Sequence, residues 1–439
     1  MKRSMWLRRI AALSVAALIV AACGGGDDEP AETPEPEAPS EEPSEEPEES
    51  EDEAAGDAQL HLGYVLPETG PLAFLGPPMI ESVNLAVADM NAAGGVLGSE
   101  VLLTTGDEAG DASVAQETAS RLLSEGVNAV VGAAATGMTN AIIGTITGAG
   151  ILECSGSNTG PGFRTTDYNG LYFRTAPSDG LQGAFAAEAI LGDGHTNPAI
   201  VARADDYGVG LLEITKQQIE AAGGTVAAEI TYDPEAANFD AEVSQIVDSG
   251  ADALYLISFD EGAQILAGLV EAGYSPQDFP IYGSDGVRSN ELAERVDPNN
   301  PAVLEGMMGT APGGDEEGQR PFITRLIEET GVEDPIYAAE KYDCAIIIGL
   351  AAESAGTVEG AAMADVLYEV TSNGTECADF AECKALAEAG EDFAYQTASG
   401  IVLERTEVGN HEPDSAVYEY WQINANGEVE TVRTERIGF

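Results

Sequence analysis

The chain predicts a fold of two doubly wound α/β lobes joined by crossing strands. Three observations predict it. From residue 60 onward, short apolar strands alternate with amphipathic helices. The alternation breaks after residue 154 and restarts at 198. Beyond Leu304 it gives way to a helical block and then to strands, so the chain returns to the first lobe and afterwards to the second. Continuous apolar strands belong to parallel sheets covered on both faces. Two such runs in sequence make two doubly wound sheets. Strands that cross between them create a hinge and a cleft.

The elements follow in order. Leu60–Leu66 is a strand that ends at Pro67, and Pro78–Ala93 is a helix closed by Gly94-Gly95. Glu100–Thr105 is a strand, Ser113–Glu125 a helix, Val127–Gly132 a strand, Thr136–Ala149 a helix and Ile151–Cys154 a strand. The second run reads Pro198–Arg203 strand, Val209–Ala222 helix, Thr225–Thr231 strand, Phe239–Ser249 helix, Ala253–Ser258 strand, Gly262–Ala272 helix and Pro280–Tyr282 strand. Glu305–Ala311 is a crossing strand, followed by helices over Glu316–Thr330, Ile336–Ser354 and Glu359–Thr371. Strands over Gly400–Arg405, Ala416–Ile423 and Glu428–Arg433 finish the chain, the last two joined by a turn at Asn424-Ala425-Asn426-Gly427.

What precedes the first strand is of a different kind. Lys2, Arg3, Arg8 and Arg9 form a basic stretch, and residues 10–22 are apolar and uncharged. That run is short for a bilayer span, which needs about 20 residues, and suits a signal-peptide core. It ends Val20-Ala21-Ala22-Cys23, the pattern at which bacterial lipoproteins are cleaved and lipidated. Two or more acyl chains on Cys23 anchor stably, whereas one binds marginally. Residues 27–57 hold 16 acidic residues and no basic one among Pro, Ser and Ala. Like charges repel and nothing there builds a core, so 23–58 reads as a disordered tether. The expected location is the outer face of the cell membrane.

Composition excludes some partners. The formal charge is −59, with 77 acidic residues against 18 basic ones. Such a surface disfavours nucleic acid and anionic membranes. Only four lysines occur, and the charge reads as a solubility adaptation to a salty medium, where screening lowers self-repulsion. Cys377 and Cys383 lie six apart, and export permits a short-loop disulfide between them. Cys154 and Cys344 sit at apolar stretches and read equally as buried thiols or as a second bridge.

Eight motifs then stand in register: GYVLPETGPLAFLG from residue 63, AVADMNAAGGVLG from 86, VVGAAATGMT from 130, CSGSNTGP from 154, DDYGVGL from 205, FDEGAQIL from 259, YGSDG from 282 and LEGMMGTAP from 304. In this order they resemble the type I periplasmic binding proteins of the branched-chain amino-acid transport group. The resemblance spans essentially all of residues 59–439. It implies a two-lobed flytrap with a three-strand hinge. One lobe would be 59–177 plus 311–398, the other 178–310 plus 399–439.

The resemblance also implies a ligand set, each member with a plainer reading beside it. Thr69-Gly70-Pro71 is turn chemistry, yet in the family this loop overhangs the cleft and brings Phe74 or Leu75 to the ligand. Thr136, Ser157 and Thr159 are N-cap types at carboxyl ends of strands, where α/β sheets bind ligands. In the family the matching residues hold a carboxylate and an amino group. Gly156 departs from the usual Pro, and Ser157 replaces a residue that mainly supplies backbone. Tyr207 is expected to close over the ligand, and Asp285 to face its ammonium, one methylene shorter than the Glu often found there. Ser258 and Phe259 are further candidates.

Enzyme signatures are absent from the sequence. His61, His195 and His411 fit no metal or triad spacing, and neither a nucleophile elbow nor a phosphate loop occurs. The expectation is therefore a monomeric binding protein without cofactor or metal. It would capture an amino acid or related amide and deliver it to the permease and ATPase subunits of an ABC importer. A ligand-sensing module without transport is the alternative.

Overall fold

The computed structural model describes residues 58–313 and 316–439, with backbone alone for 316–320. The expected signal segment, Cys23 and the acidic tether up to residue 57 lie outside the described residues.

The first lobe opens with β1 (His61–Val65), α1 (Gly76–Ala92), β2 (Leu102–Thr104), α2 (Ala112–Ser124), β3 (Ala129–Gly132), α3 (Thr136–Gly148), β4 (Leu152–Ser155) and β5 (Tyr172–Arg174). The chain then enters the second lobe through α4 (Asp179–Gly192), β6 (Ala199–Arg203), α5 (Asp206–Ala221), β7 (Ala228–Tyr232), α6 (Asp240–Asp248), β8 (Leu254–Ile257), α7 (Gly262–Glu271), β9 (Ile281–Gly283), α8 (Leu292–Val296) and β10 (Met308–Pro312). It returns to the first with α9 (Glu316–Thr330), α10 (Ala338–Ala355), α11 (Gly360–Ala364), α12 (Glu369–Ser372), β11 (Thr375–Cys377), α13 (Phe380–Glu388), β12 (Phe393–Tyr395), β13 (Leu403–Arg405) and β14 (His411–Pro413). Strands β15 (Ser415–Ile423) and β16 (Val429–Gly438) close the second lobe as a hairpin.

Each lobe carries a seven-stranded sheet. The orders are β13-β14-β5-β4-β3-β1-β2 and β16-β15-β10-β9-β8-β6-β7. The inner strands pair in parallel, and antiparallel pairs stand at one edge of each. Strand order reverses between β3 and β1 and between β8 and β6. Loops at such switch points leave a crevice at the strands' carboxyl ends. Helix α10 is buried from Ala338 to Ala352, and from Cys344 onward that stretch is apolar all round, as a fully buried helix requires.

Two expectations need correction. Residues 403–413 belong to the first lobe, because β13 and β14 pair onto β5. The last crossing therefore lies near Asp414, not at 399. The single helix expected over Glu359–Thr371 is two short ones. Between them Val366 and Leu367 donate to carbonyls three residues back, a tighter turn that breaks the α-helical run. The segments β5, α4, α13, β12 and β14 were not legible from periodicity. Both cysteine pairs are bridged, Cys377 to Cys383 and Cys154 to Cys344.

Candidate functional site

The first-lobe wall is made by two loops at strand ends. After β3, residues 133–135 lead into α3, whose start has no side-chain cap. After β4, residues 156–160 run alongside. Three hydroxyls stitch the loops together. Ser155 Oγ donates to the Ala133 carbonyl at 2.6 Å, Ser157 Oγ to the Ala134 carbonyl at 3.1 Å, and Thr136 Oγ1 to Asn158 Oδ1 at 3.0 Å. From below, the Glu108 carboxylate accepts the Ala134 N–H at 2.6 Å and the Ala135 N–H at 3.4 Å. Behind the second loop, fully buried Arg174 pairs with Glu412 of β14 at 2.8 Å and donates to the Gly160 carbonyl, also at 2.8 Å. The returning strand thus fixes the loop.

The second-lobe wall centres on Asp285, just beyond β9 and 5 % exposed. Its Oδ1 accepts from Tyr207 Oη and Gln182 Nε2, and its Oδ2 from Tyr337 Oη, each at 2.7 Å. Tyr207 stands at the start of α5 and stacks on Phe259, with centroids 5.3 Å apart. Arg203 lies 3.6 Å from the same Phe259 ring and pairs with Asp205 and Glu261. Gly286 is required beside them, because a Cβ there would meet the Ser258 carbonyl at 2.4 Å. Tyr337 comes from the other lobe, at the start of α10. Its φ of 59° is left-handed, a strain of roughly 1–3 kcal/mol for a non-glycine residue. Burial and the neighbouring Asp285 charge hold the Tyr337 phenol well above its ordinary pKa, so it stays a hydrogen-bond donor.

Leu72, Leu75, Ala134, Ala135, Thr136, Ser157, Thr159, Tyr207, Phe259, Asp285, Gly286 and Tyr337 line one cleft between the lobes. Six expected residues, Thr136, Ser157, Thr159, Tyr207, Phe259 and Asp285, therefore meet in it, as does Leu75, the alternative to Phe74. Two do not. Ser258 is fully buried beneath Phe259, bonded to Tyr232 and Glu261. Its side chain points away because neighbours along a strand end face opposite sides. Phe74 lies in a side groove with Phe259, Gly286 and Val287, and Leu72 and Leu75 take its place on the wall. Sequence reading missed Tyr337, hidden in a helix start, and Gln182, on a helix that was not recognised.

The cleft's chemistry follows from this arrangement. Thr136 and Ser157 spend their hydroxyl hydrogens on protein acceptors, which leaves lone pairs for a donor. The uncapped end of α3 offers backbone N–H groups to an anion. Asp285 supplies a negative charge among neutral donors. The lobes are drawn together, and the free space is about 20 Å3, room for about one water. Interlobe bonds Tyr337–Asp285, Asn140–Asp206 at 2.6 Å and Arg288–Asp334 at 2.8 Å hold them so. Among the described residues no cluster of His, Cys, Asp or Glu forms a metal site.

Known proteins share this fold. Residues 59–388 match the family model described as periplasmic binding protein. A Leu/Ile/Val-binding protein homolog 1 of Brucella melitensis is 26 % identical over 319 residues, 71 % of this chain and 83 % of the relative. The leucine-, isoleucine-, valine-, threonine-, and alanine-binding protein of Pseudomonas aeruginosa is 27 % identical over 307 residues, 69 % of this chain and 80 % of the relative. The crystal structure of a leucine-binding protein from Thermotoga maritima superposes with a TM-score of 0.71 at 21 % identity, covering 85 % of this chain and 98 % of that one.

Proposed function

Since the chain belongs to the periplasmic binding protein family, whose members bind solutes and are not enzymes, we propose that it is the lipid-anchored capture subunit of an ABC importer for a small amino acid. The observation that carries this reading is Asp285, which accepts hydrogen bonds from both lobes inside a cleft between them. The relatives above are named for small aliphatic amino acids and, in one case, also threonine, and that choice of ligand rests on them.

In this reading the ligand carboxylate meets the N–H groups at the start of α3. The ammonium is shared by Asp285 and the lone pairs of Thr136 and Ser157, with Thr159 beside them. The side chain lies against Leu72, Leu75 and Phe259. Tyr207 and Tyr337 close over it. Contacts made only when the lobes meet shift the open–closed equilibrium toward the closed form, which docks on the permease. Cys23 carries the acyl anchor, and the acidic tether lets the domain stand off the membrane.

A thermal-shift screen against amino acids, amides and polyamines tests the ligand class. Binding raises the melting temperature by mass action, and no shift with any amino acid defeats this proposal. Asp285→Ala should weaken amine ligands by at least about tenfold, the loss expected for one charged hydrogen bond. It should spare ligands lacking an amine.

A further inference from the structure

Behind the first-lobe wall lies a charged cluster that does not itself touch the cleft. Lys341, in α10, is fully buried, and its ammonium has no hydrogen-bond partner. Glu108 and Glu153 are also fully buried, and both oxygens of Glu153 lack a partner. Asp107 stands beside Glu108 in the turn after β2, and Glu340 and Asp343 share the helix of Lys341. Lys341 is the cation whose field reaches both Glu108 and Glu153. A Cβ on Gly156 would come within 2.9 Å of the Glu340–Lys341 backbone, so the second ligand loop rests on α10 with no side chain between.

We propose that Lys341 and Glu108 are positioning residues for the ligand: the buried ammonium keeps Glu108 a carboxylate, and that carboxylate aims the Ala134–Thr136 loop so that α3 presents its uncapped end to the cleft. The inference rests on reading that cleft as the ligand site. The geometry shows why the charge matters. The two oxygens of Glu108 each take one loop N–H. A carboxylate accepts at both oxygens, whereas a carboxylic acid turns one of them into a donor. Protonation therefore sets an O–H against an N–H, and the loop must give way. Removing the cation invites protonation, because an unpaired buried carboxylate is costly.

The change falls near neutrality. Burial pushes Glu108 up and pulls Lys341 down, each drawn back partway by the other. As pH falls through 7, Glu108 takes up a proton and its grip on the loop loosens. Glu153 is held well above the carboxylate range and Glu340 is raised to about 8, both by burial, so these two draw less on the lysine.

The test follows the amide resonances of Ala134 and Ala135 by NMR from pH 5 to 9, on the full chain without ligand. Both should titrate together near pH 7. Lys341→Met should move the midpoint up by about one pH unit or more, and Glu108→Gln should abolish the titration. Amides that stay flat in the unmodified protein, or that still titrate in Glu108→Gln, overturn the proposal. So does an unchanged midpoint in Lys341→Met, since a merely structural role lowers the melting temperature without moving a midpoint. If Lys341→Met does not fold, Glu108→Gln decides alone. Binding of the set of amino acids is measured in parallel. Titrating amides in a protein that binds no amino acid sink the amino-acid reading and support this one. Amino-acid binding with flat amides does the reverse.

Discussion

At the scale of single residues, Asp285 is the point where sequence chemistry and tertiary contact part. A buried carboxylate at a strand end calls for a cationic partner. The structure instead surrounds it with three neutral donors, two from its own lobe and one from the other. The bond from Tyr337 exists only while the lobes are together. A hydrogen bond to a charged group contributes about 1.5–3 kcal/mol. Tyr337→Phe should therefore open the unliganded protein by roughly tenfold or more in the closed-to-open ratio. Distances between labels placed on the two lobes would show it. An unchanged distance distribution would mean that Tyr337 does not tie the lobes.

At the scale of elements, the two disulfides differ in reach. Cys154–Cys344 ties β4 to α10 across 190 residues, while Cys377–Cys383 closes a separation of six between β11 and α13. Chain entropy gives about 5 kcal/mol for the long loop and about 2 kcal/mol for the short one. Urea unfolding of Cys154→Ser/Cys344→Ser should lose more stability than that of Cys377→Ser/Cys383→Ser. Both long-range sulfurs are fully buried, so reductant added to the folded protein should leave that bridge intact until the lobe unfolds. The long bridge also fixes β4, which carries the second ligand loop, onto the helix that carries Tyr337. The reverse order of stability loss would show that native-state packing, not loop closure, sets the contribution.

At the scale of the whole molecule, charge dominates. With a formal charge of −59, self-repulsion opposes the compact state, and added salt screens it. The melting temperature should rise with NaCl concentration. It should also fall as pH rises from 5 to 8. Burial lifts Glu340 to about 8 and Asp343 to about 6 in the folded protein. The stability that such raised carboxyls contribute is full below their unfolded pKa, near 4, and is lost as pH climbs through 6 to 8. Glu108, also raised by burial, adds to the loss between pH 5 and 7, whereas the lowered Lys341 acts only above that range. His411 is lowered to about 4 by burial, so its contribution is lost only as pH falls from about 6.5 toward 4, and it sets the acid limit. Replacing Glu340 with Gln and Asp343 with Asn together should flatten the slope above pH 5; an unaltered slope would assign it to Glu108, Glu153 and surface repulsion.

The sequence by itself determined the alternation of strands and helices, the restart that makes two lobes, and six residues of the cleft, Thr136, Ser157, Thr159, Tyr207, Phe259 and Asp285. Periodicity and strand ends are local properties, and the cleft residues came from strand ends together with the family resemblance. Only the tertiary structure decided which strands return to which sheet, because β13 and β14 are short and their pairing with β5 is set by packing. It also decided that Ser258 and Phe74 stand aside while Tyr337 and Gln182 reach in, since a side chain's direction across a cleft depends on the lobe opposite. The pairing of Cys154 with Cys344 and the cluster of Lys341 with Glu108 and Glu153 join residues far apart in the chain. No local pattern encodes such contacts; they exist only once β4, the turn after β2 and α10 are packed together.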